Sequence, residues 1–353
     1  MRKWMRQMAR MLCLLLAVGT LVGCDSKGQS DAASSQQEQT MKIGMCFDTF
    51  TIERWLKDRD VFSATAASLG AEVNVQNANG DVQKQKEQLQ RFIEDGVDAV
   101  VIIAVDESKL TEELEAAHRK GIKIIAYDRL INSPYVDLYI SFDNNMVGQM
   151  MAESISECLN AKGSVQRNVL MICGAKEDRN VSMVEEGFRK IAETENLNIV
   201  DTFYADGWRA ENVGLYFAEN SQVLSQVDAI MCGNDSLAGE VIDILATNRM
   251  AGDVVVVGQD ADLDACQRIV EGTQEMTVYK TVELMAKRAA ELTIDLIQGT
   301  DLNSQDMDTI ACDGGEIPYV AMAPQAVTKE NMDSVIIESG FHLKEDVYMN
   351  VGN

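Results

Sequence analysis

The chain has 353 residues, 46% of them apolar, which is long for one domain, comfortable for two, and enough for a sizeable core. A formal net charge of −25 with no basic patch to offset it excludes a nucleic-acid partner and direct adhesion to anionic lipid. Eight cysteines are scattered without a C-x-x-C pair, so they form no disulfide framework. Cys46, Cys158, Cys173, Cys232, Cys266 and Cys312 read as free thiols, with a single pairing among them left open.

Taken in order, the chain begins with a basic stretch, Arg2–Arg10, an apolar run, Met11–Val18, and then Leu21-Val22-Gly23-Cys24. The apolar run is shorter than the roughly 20 residues of a membrane-spanning helix, so residues 1–23 read as a targeting segment. The tetrad resembles the lipobox of bacterial lipoproteins, in which the cysteine is acylated and becomes the mature N-terminus. That resemblance makes Cys24 the lipidation site, an ordinary secretory signal being the alternative. Residues 24–40 are Ser/Gln-rich without apolar periodicity and read as a flexible tether. The product is then extracytoplasmic and anchored by acyl chains to the outer face of the plasma membrane.

From Met41 onward short apolar runs alternate with amphipathic stretches. Strands are predicted at Lys42–Phe47, Ala71–Val75, Asp98–Ile103, Ile122–Tyr127 and Asp137–Phe142, with helices over Glu53–Leu69, Asp81–Glu94, Glu107–Arg119 and Asn144–Leu159 between and after them. A second round has strands at Val169–Cys173, Ile199–Tyr204, Ala229–Cys232, Val254–Val257 and Met276–Tyr279. Its helices are predicted over Val181–Glu193, Ala210–Leu224, Ser236–Asn248, Asp262–Val270 and Thr281–Ile297. Past these, Ile317–Ala323 reads as a strand, followed by a turn at Pro324 and a small helical piece. Such alternation means right-handed βαβ units, hence an α/β fold with parallel sheets covered on both faces. Two rounds of it imply two lobes with a cleft between them.

Strand after strand ends in a hydrogen-bonding residue: Asp48, Asp128-Arg129, Asp143-Asn144, Asn234-Asp235, Gln259-Asp260 and Lys280. Open α/β sheets bind ligands beyond the carboxyl ends of their strands. Arg54 and Trp55 sit just past the first strand, and Trp208 lies in the loop after Tyr204. Indole faces pack on the C–H face of a sugar ring, and guanidinium donors take its hydroxyls. Plainer roles compete for each residue: Trp55 as a core anchor, Arg54 as its solvated neighbour, and Asp128-Arg129 as a local pair. For Asp235 and Asp262, helix capping has at least as strong a claim as ligand contact.

Chemistry for catalysis is missing. No G-x-G-x-x-G or P-loop follows a strand, and His118 and His342 have no Cys or carboxylate at metal-ligand spacing. Asp128 and Asp260 could be imagined as a glycosidase pair, but Arg54, Arg129 and Lys280 would lower their pKa values and disfavour a general acid. The inventory suits holding a neutral polyol, without cofactor or metal, better than breaking one.

These residues, in this order, resemble the periplasmic sugar-binding proteins of ABC transporters, and most closely their D-xylose-binding members. The likeness runs through Glu53-Arg54-Trp55, Ala126-Tyr127-Asp128-Arg129, Asp206-Gly207-Trp208, Asn234-Asp235, Gly258-Gln259-Asp260 and Val278-Tyr279-Lys280, and covers nearly everything from Met41 to His342. It implies the type I periplasmic binding protein fold, two Rossmann-like lobes joined by three crossover strands. Residues 41–143 with 280–311 would make the first lobe, and 144–279 with 312–353 the second. Trp55 and Trp208 would sandwich the pyranose, and Arg54, Asp128, Arg129, Asn180, Asn234, Asp260 and Lys280 would hydrogen-bond its hydroxyls. Asn180 comes from the resemblance alone, and Asp178-Arg179-Asn180 stands where the family has Asp-Asn-Asn. The implied function is capture of D-xylose by a monomeric binding protein, not an enzyme, that delivers it to ABC transporter permease subunits. Another aldose (glucose, arabinose or galactose) serving a sensor kinase or chemoreceptor is the alternative.

Overall fold

The β-branched runs form parallel strands and the amphipathic stretches wrap them as helices in the computed structural model, which describes residues 40–52, 54–302 and 307–351. The targeting segment, Cys24 and the tether up to residue 39 lie outside the described residues. The first round runs β1 (Met41–Phe47), α1 (Arg54–Ser68), β2 (Ala71–Asn77), α2 (Val82–Asp95), β3 (Ala99–Ile102), α3 (Thr111–Arg119), β4 (Lys123–Tyr127) and β5 (Leu138–Phe142). The second runs α4 (Asn144–Ala161), β6 (Asn168–Cys173), α5 (Arg179–Thr194), β7 (Asn198–Tyr204), α6 (Glu211–Glu219), β8 (Ala229–Cys232), α7 (Asp235–Thr247), β9 (Val255–Gln259), α8 (Leu263–Glu271) and β10 (Met276–Tyr279). After these come α9 (Val282–Ile297), β11 (Asp308–Cys312), β12 (Gly315–Met322), β13 (Gln325–Thr328) and α10 (Lys344–Val347).

Two sheets result. One has seven strands in the order β11-β12-β5-β4-β3-β1-β2, the other six in the order β13-β10-β9-β8-β6-β7. All neighbours are parallel except β11 with β12 and β10 with β13, which are antiparallel. Alternate residues of one strand serve opposite faces: Ile43, Met45 and Phe47 of β1 pack on one side of the first sheet, Cys46 on the other. The second sheet is likewise covered on both faces, by α4 and α5 on one side and α6 and α7 on the other. This is the α/β, two-lobed, doubly wound architecture that the alternation predicts.

The chain passes between the sheets three times, from β5 to α4, from β10 to α9 and from β12 to β13. The third passage differs from the expected boundary at residue 312. β12 pairs in parallel with β5, from Tyr139 opposite Tyr319 to Phe142 opposite Met322, so the hairpin of β11 and β12 stays with the first sheet. Buried Ile317 and the Tyr319 ring, stacked on Tyr139 at 4.8 Å, hold it there.

The order reverses twice, between β1 and β3 in the first sheet and between β6 and β8 in the second. At such switch points successive connections leave on opposite faces and open a crevice beyond the strand ends. Among the described residues no helix is long and apolar enough to cross a membrane, and all six cysteines are free.

Candidate functional site

Both crevices contribute to one cleft. Arg54 and Trp55 open α1 after β1, and Asp128 and Arg129 follow β4. From the second sheet come Asn180 in the first turn of α5, Trp208 in the 3-10 turn after β7, Asn234 after β8, Asp260 after β9 and Lys280 after β10. All nine residues singled out in the sequence line this cleft, with Ile52, Asp178 and Gln259 completing the wall. The free space among these residues is small, about 30 Å³, room for one or two water molecules. It leads outward into a wider polar groove that shares Ile52, Trp208 and Asn234.

Arg54 is the hub of the first lobe's wall. Its Nη2 lies 2.9 Å from Asp128 Oδ2 and 3.2 Å from Asp58 Oδ1, and its Nη1 lies 4.0 Å from Asp260 Oδ1 across the cleft. Its guanidinium carbon stands 4.4 Å from the centre of the Trp55 ring. Burial opposes the charge on Arg54, yet Asp128, Asp58 and Asp260 together hold it well above its ordinary pKa. Asp58 is itself fully buried and takes the Tyr127 hydroxyl. For Asp128 burial pushes the pKa up, and Arg54, Lys280 and Arg129 more than reverse it, leaving the carboxylate ionised. That is the wrong direction for a general acid.

Arg129 bridges the lobes. Its Nη1 meets Asp48 Oδ2 at 2.6 Å and donates to the Ala104 carbonyl at 3.1 Å, while its Nε meets Asp178 Oδ2 in the second lobe at 2.8 Å. Burial raises both acids against the pull of Arg129, Asp48 to about 6. Asn180 makes a second bridge: its Nδ2 donates to the Asp128 carbonyl and to Asp128 Oδ1, both at 3.0 Å. Ser141 Oγ donates to the same carbonyl at 2.7 Å, and the Tyr139 hydroxyl lies 3.1 Å from it. These contacts hold Asp128 at φ 62°, a left-handed conformation uncommon outside glycine.

Across the cleft, Asn234 caps α7, its Oδ1 accepting from the Leu237 amide at 2.9 Å, so its Nδ2 is the part that can serve a ligand. Asp235, for which helix capping and ligand contact are the competing expectations, does something else. Its carboxylate accepts from Thr277 Oγ1 at 2.7 Å, Gln274 Nε2 at 2.8 Å and the Asp262 amide at 3.1 Å. That pins the turn carrying Asp260, which has φ 98°. Asp262 stands at the N-cap position of α8, but its side chain makes no capping hydrogen bond there. His118 is exposed, and His342 Nε2 lies 2.7 Å from the Ala261 carbonyl.

Nine buried side-chain polar atoms among the described residues lack a hydrogen bond, and five of them belong to the cleft wall: Trp55 Nε1, Trp208 Nε1, Gln259 Oε1, Asp128 Oδ2 and Asp260 Oδ1. The two carboxylate oxygens face Arg54 as ion pairs without hydrogen-bond geometry. A folded protein rarely leaves such atoms unmatched, and their concentration at one wall is the signature of a site that a polar ligand completes. The wall carries three cations (Arg54, Arg129, Lys280) and three carboxylates (Asp128, Asp178, Asp260), so it calls for no charged ligand.

Residues 43–301 match the family described as a periplasmic binding protein domain. The chain belongs to the periplasmic binding protein family. As a periplasmic binding protein it is a solute-binding component of a transporter and not an enzyme. It is 36% identical over 331 residues to the D-xylose-binding periplasmic protein of Escherichia coli, covering 92% of this chain and 97% of that one. The D-xylose-binding periplasmic protein of Haemophilus influenzae is also 36% identical, over 90% of this chain and 95% of its own length. Among solved structures, an ABC transporter solute-binding protein from Clostridium phytofermentans with bound β-D-glucose superposes with a TM-score of 0.77 at 26% identity, covering 87% of this chain and 99% of that one.

Three residues of this binding protein's cleft wall, Ile52, Asp178 and Gln259, are not among the site residues read from the sequence. Asp178 looks like a plain helix cap, and it does accept from the Asn180 amide at 2.9 Å, but its other oxygen holds Arg129 across the cleft. Gln259 stands one place before Asp260 at the end of β9, and strand-end position was the signal that pointed to it. Arg179, the departure inside Asp178-Arg179-Asn180, is exposed and absent from the wall.

Proposed function

We propose that this protein captures D-xylose in its pyranose form between the two lobes and delivers it to the permease of an ABC transporter. The observation that carries the reading is the cleft wall itself: five buried polar atoms without hydrogen bonds, two indoles and a balanced set of charges around one small space. Neutral sugars meet that description. Their hydroxyls both donate and accept, so they satisfy indole N–H, carboxylate and amide groups together. Trp55 and Trp208 serve the ring faces, and Arg54, Asp128, Arg129, Asn180, Asn234, Asp260 and Lys280 serve the hydroxyls. The 36% identity to two D-xylose-binding proteins over nearly full length supports the pentose. An acyl chain on Cys24 holds the protein, as a monomer, at the outer face of the membrane.

Isothermal calorimetry against D-xylose, D-glucose, L-arabinose and D-galactose tests this. D-xylose is expected to bind tightest, a misplaced hydroxyl or extra hydroxymethyl costing about 1–3 kcal/mol each. Equal or tighter binding of D-glucose, the sugar found in the Clostridium structure, would overturn the pentose assignment. No binding of any aldose would overturn the sugar reading as a whole. Mass spectrometry of the native N-terminal peptide is expected to show an acyl adduct on Cys24, and an unmodified terminus would remove the anchor.

A further inference from the structure

The outer ring of Trp208 lies over two strand-end glycines, with core side chains packed around the rest of it. An ideal Cβ built on Gly174 would fall 2.3 Å from Cη2 and Cζ2 of the Trp208 indole and 2.4 Å from its Cζ3, closer than carbon atoms approach. On Gly233 a Cβ would fall 3.3 Å from the same Cζ3 and 2.8 Å from the Gly174 amide nitrogen. Gly174 follows β6 and Gly233 follows β8, which are neighbours in the second sheet. The two strand ends together make a floor without side chains, and the outer ring of the indole lies on it.

The backbone gives no other reason for glycine at position 174. Gly174 is not among the glycines with positive φ, so an alanine there meets no conformational penalty of that kind. The three atoms that a side chain there would meet first all belong to the indole. Nor can the tryptophan easily retreat. Its own φ is 60°, it follows Gly207 at φ 62°, its amide donates to the Ala205 carbonyl at 3.0 Å, and Asn212 Nδ2 ties down the Asp206 carbonyl at 3.0 Å. A turn held that firmly hands any push from below to the ring.

We infer that Gly174, with Gly233 beside it, is the positioning residue that sets how deep Trp208 sits in the cleft, and so sets the clearance for the sugar ring. This rests on the proposed sugar-binding function. To restore an ordinary carbon–carbon separation of about 3.5–4.0 Å, a methyl at position 174 must move the ring by roughly 1 Å or more. Val, Leu or any larger residue there would displace the indole outright. Ligand clearance is therefore controlled from behind the ring by a residue that never touches the ligand.

The test is a double-mutant cycle, Gly174→Ala against Trp208→Phe, because a phenyl ring lacks the outer atoms that the methyl would strike. D-xylose affinity and thermal midpoint are measured for wild type, both single variants and the double variant. Gly174→Ala is expected to weaken binding about tenfold or more in the presence of Trp208 and to have little further effect once Trp208→Phe is in place. Equal losses in both backgrounds, or no loss in either, overturn the inference. If Gly174→Ala unfolds the protein, the double variant is expected to regain the midpoint of Trp208→Phe, and failure to regain it also overturns the inference. A sugar-free readout separates this from the functional reading. In protein labelled with 5-fluorotryptophan, the ¹⁹F resonance lost in Trp208→Phe is expected to move in Gly174→Ala while the others stay. A resonance that moves in Gly174→Ala, together with a wild type that binds no aldose, retires the sugar and keeps the positioning role. A resonance that stays in place in Gly174→Ala, together with a wild type that binds D-xylose, retires the positioning role and keeps the sugar.

Discussion

At the scale of single residues, the cleft is held by buried charges that do not face the ligand. Asp235 is the sharpest case, 1% exposed and lying against Gly258, where a Cβ would fall 2.1 Å from its Oδ1. Burial pushes its pKa up to about 7, against the opposing pull of Thr277, Arg268 and Gln274 and with Asp260 adding to the rise. An acid whose folded pKa lies above its ordinary 3.8 binds its proton more tightly when folded. Its contribution to stability is therefore complete below about pH 4 and lost as pH climbs towards 7. Asp235→Asn cannot titrate, so the stability of wild type relative to this variant is expected to fall by on the order of 3 kcal/mol between pH 4.5 and 7.5. Urea unfolding at several pH values measures it, and a gap that stays constant would show that the carboxylate is ionised throughout. Residues of this kind mark the limit of reading a sequence. Asp128, Asp260 and Trp208 could be selected because strand ends are where ligands bind. Gly174, Asp178 and Asp235 act through a neighbour that folding brings to them, and position along the chain does not announce it.

Secondary-structure elements were legible wherever one face is buried. β1, β3, β4, β8 and β10 coincide with apolar runs because both faces of their sheets are covered. β11 and β13 escaped notice because they are short, half-exposed edge strands with polar residues interleaved. α3 starts at Thr111 instead of Glu107 because Asp106 turns its carboxylate onto the amide and hydroxyl of Ser108, at 2.9 and 2.8 Å, and holds a turn there. The helix expected over Ala210–Leu224 breaks at Asn220, where φ −124° and ψ 36° end α6 and a 3-10 turn follows. The closest packing between elements was also invisible. A Cβ on Gly148 of α4 would fall 1.9 Å from the Val184 carbonyl oxygen of α5, and one on Gly187 of α5 would fall 2.0 Å from the Asn145 carbonyl oxygen. The two helices touch backbone to backbone, and α5 presents Asp178 and Asn180 to the cleft from that fixed seat. Gly148→Ala is expected to cost about 1–3 kcal/mol of stability by overpacking, seen as a lower thermal midpoint. An unchanged midpoint would mean that the helices can part freely and do not fix the cleft.

On the scale of the whole molecule, the two lobes meet through protein groups as well as through any sugar: Arg129 with Asp178 at 2.8 Å, and Asn180 with Asp128 at 3.0 Å. A ligand that touches both walls favours the arrangement in which they face each other. Small-angle scattering is expected to show a smaller radius of gyration for wild type when D-xylose is added. Asp178→Ala removes one bridge and leaves Arg129 to Asp48 alone, so the sugar-free variant is expected to have the larger radius and to contract more on adding sugar. Wild type that binds sugar without contracting would point to a preformed pocket. The third passage between the sheets has a consequence for how the molecule is made. Since β12 lies between β5 and β11, the first sheet lacks two of its seven strands until the polypeptide has been extended to Met322. By then every strand of the second sheet except β13 already exists. Neither lobe can finish ahead of the other on a growing chain, and a stop codon placed before β12 damages the lobe that was synthesised first.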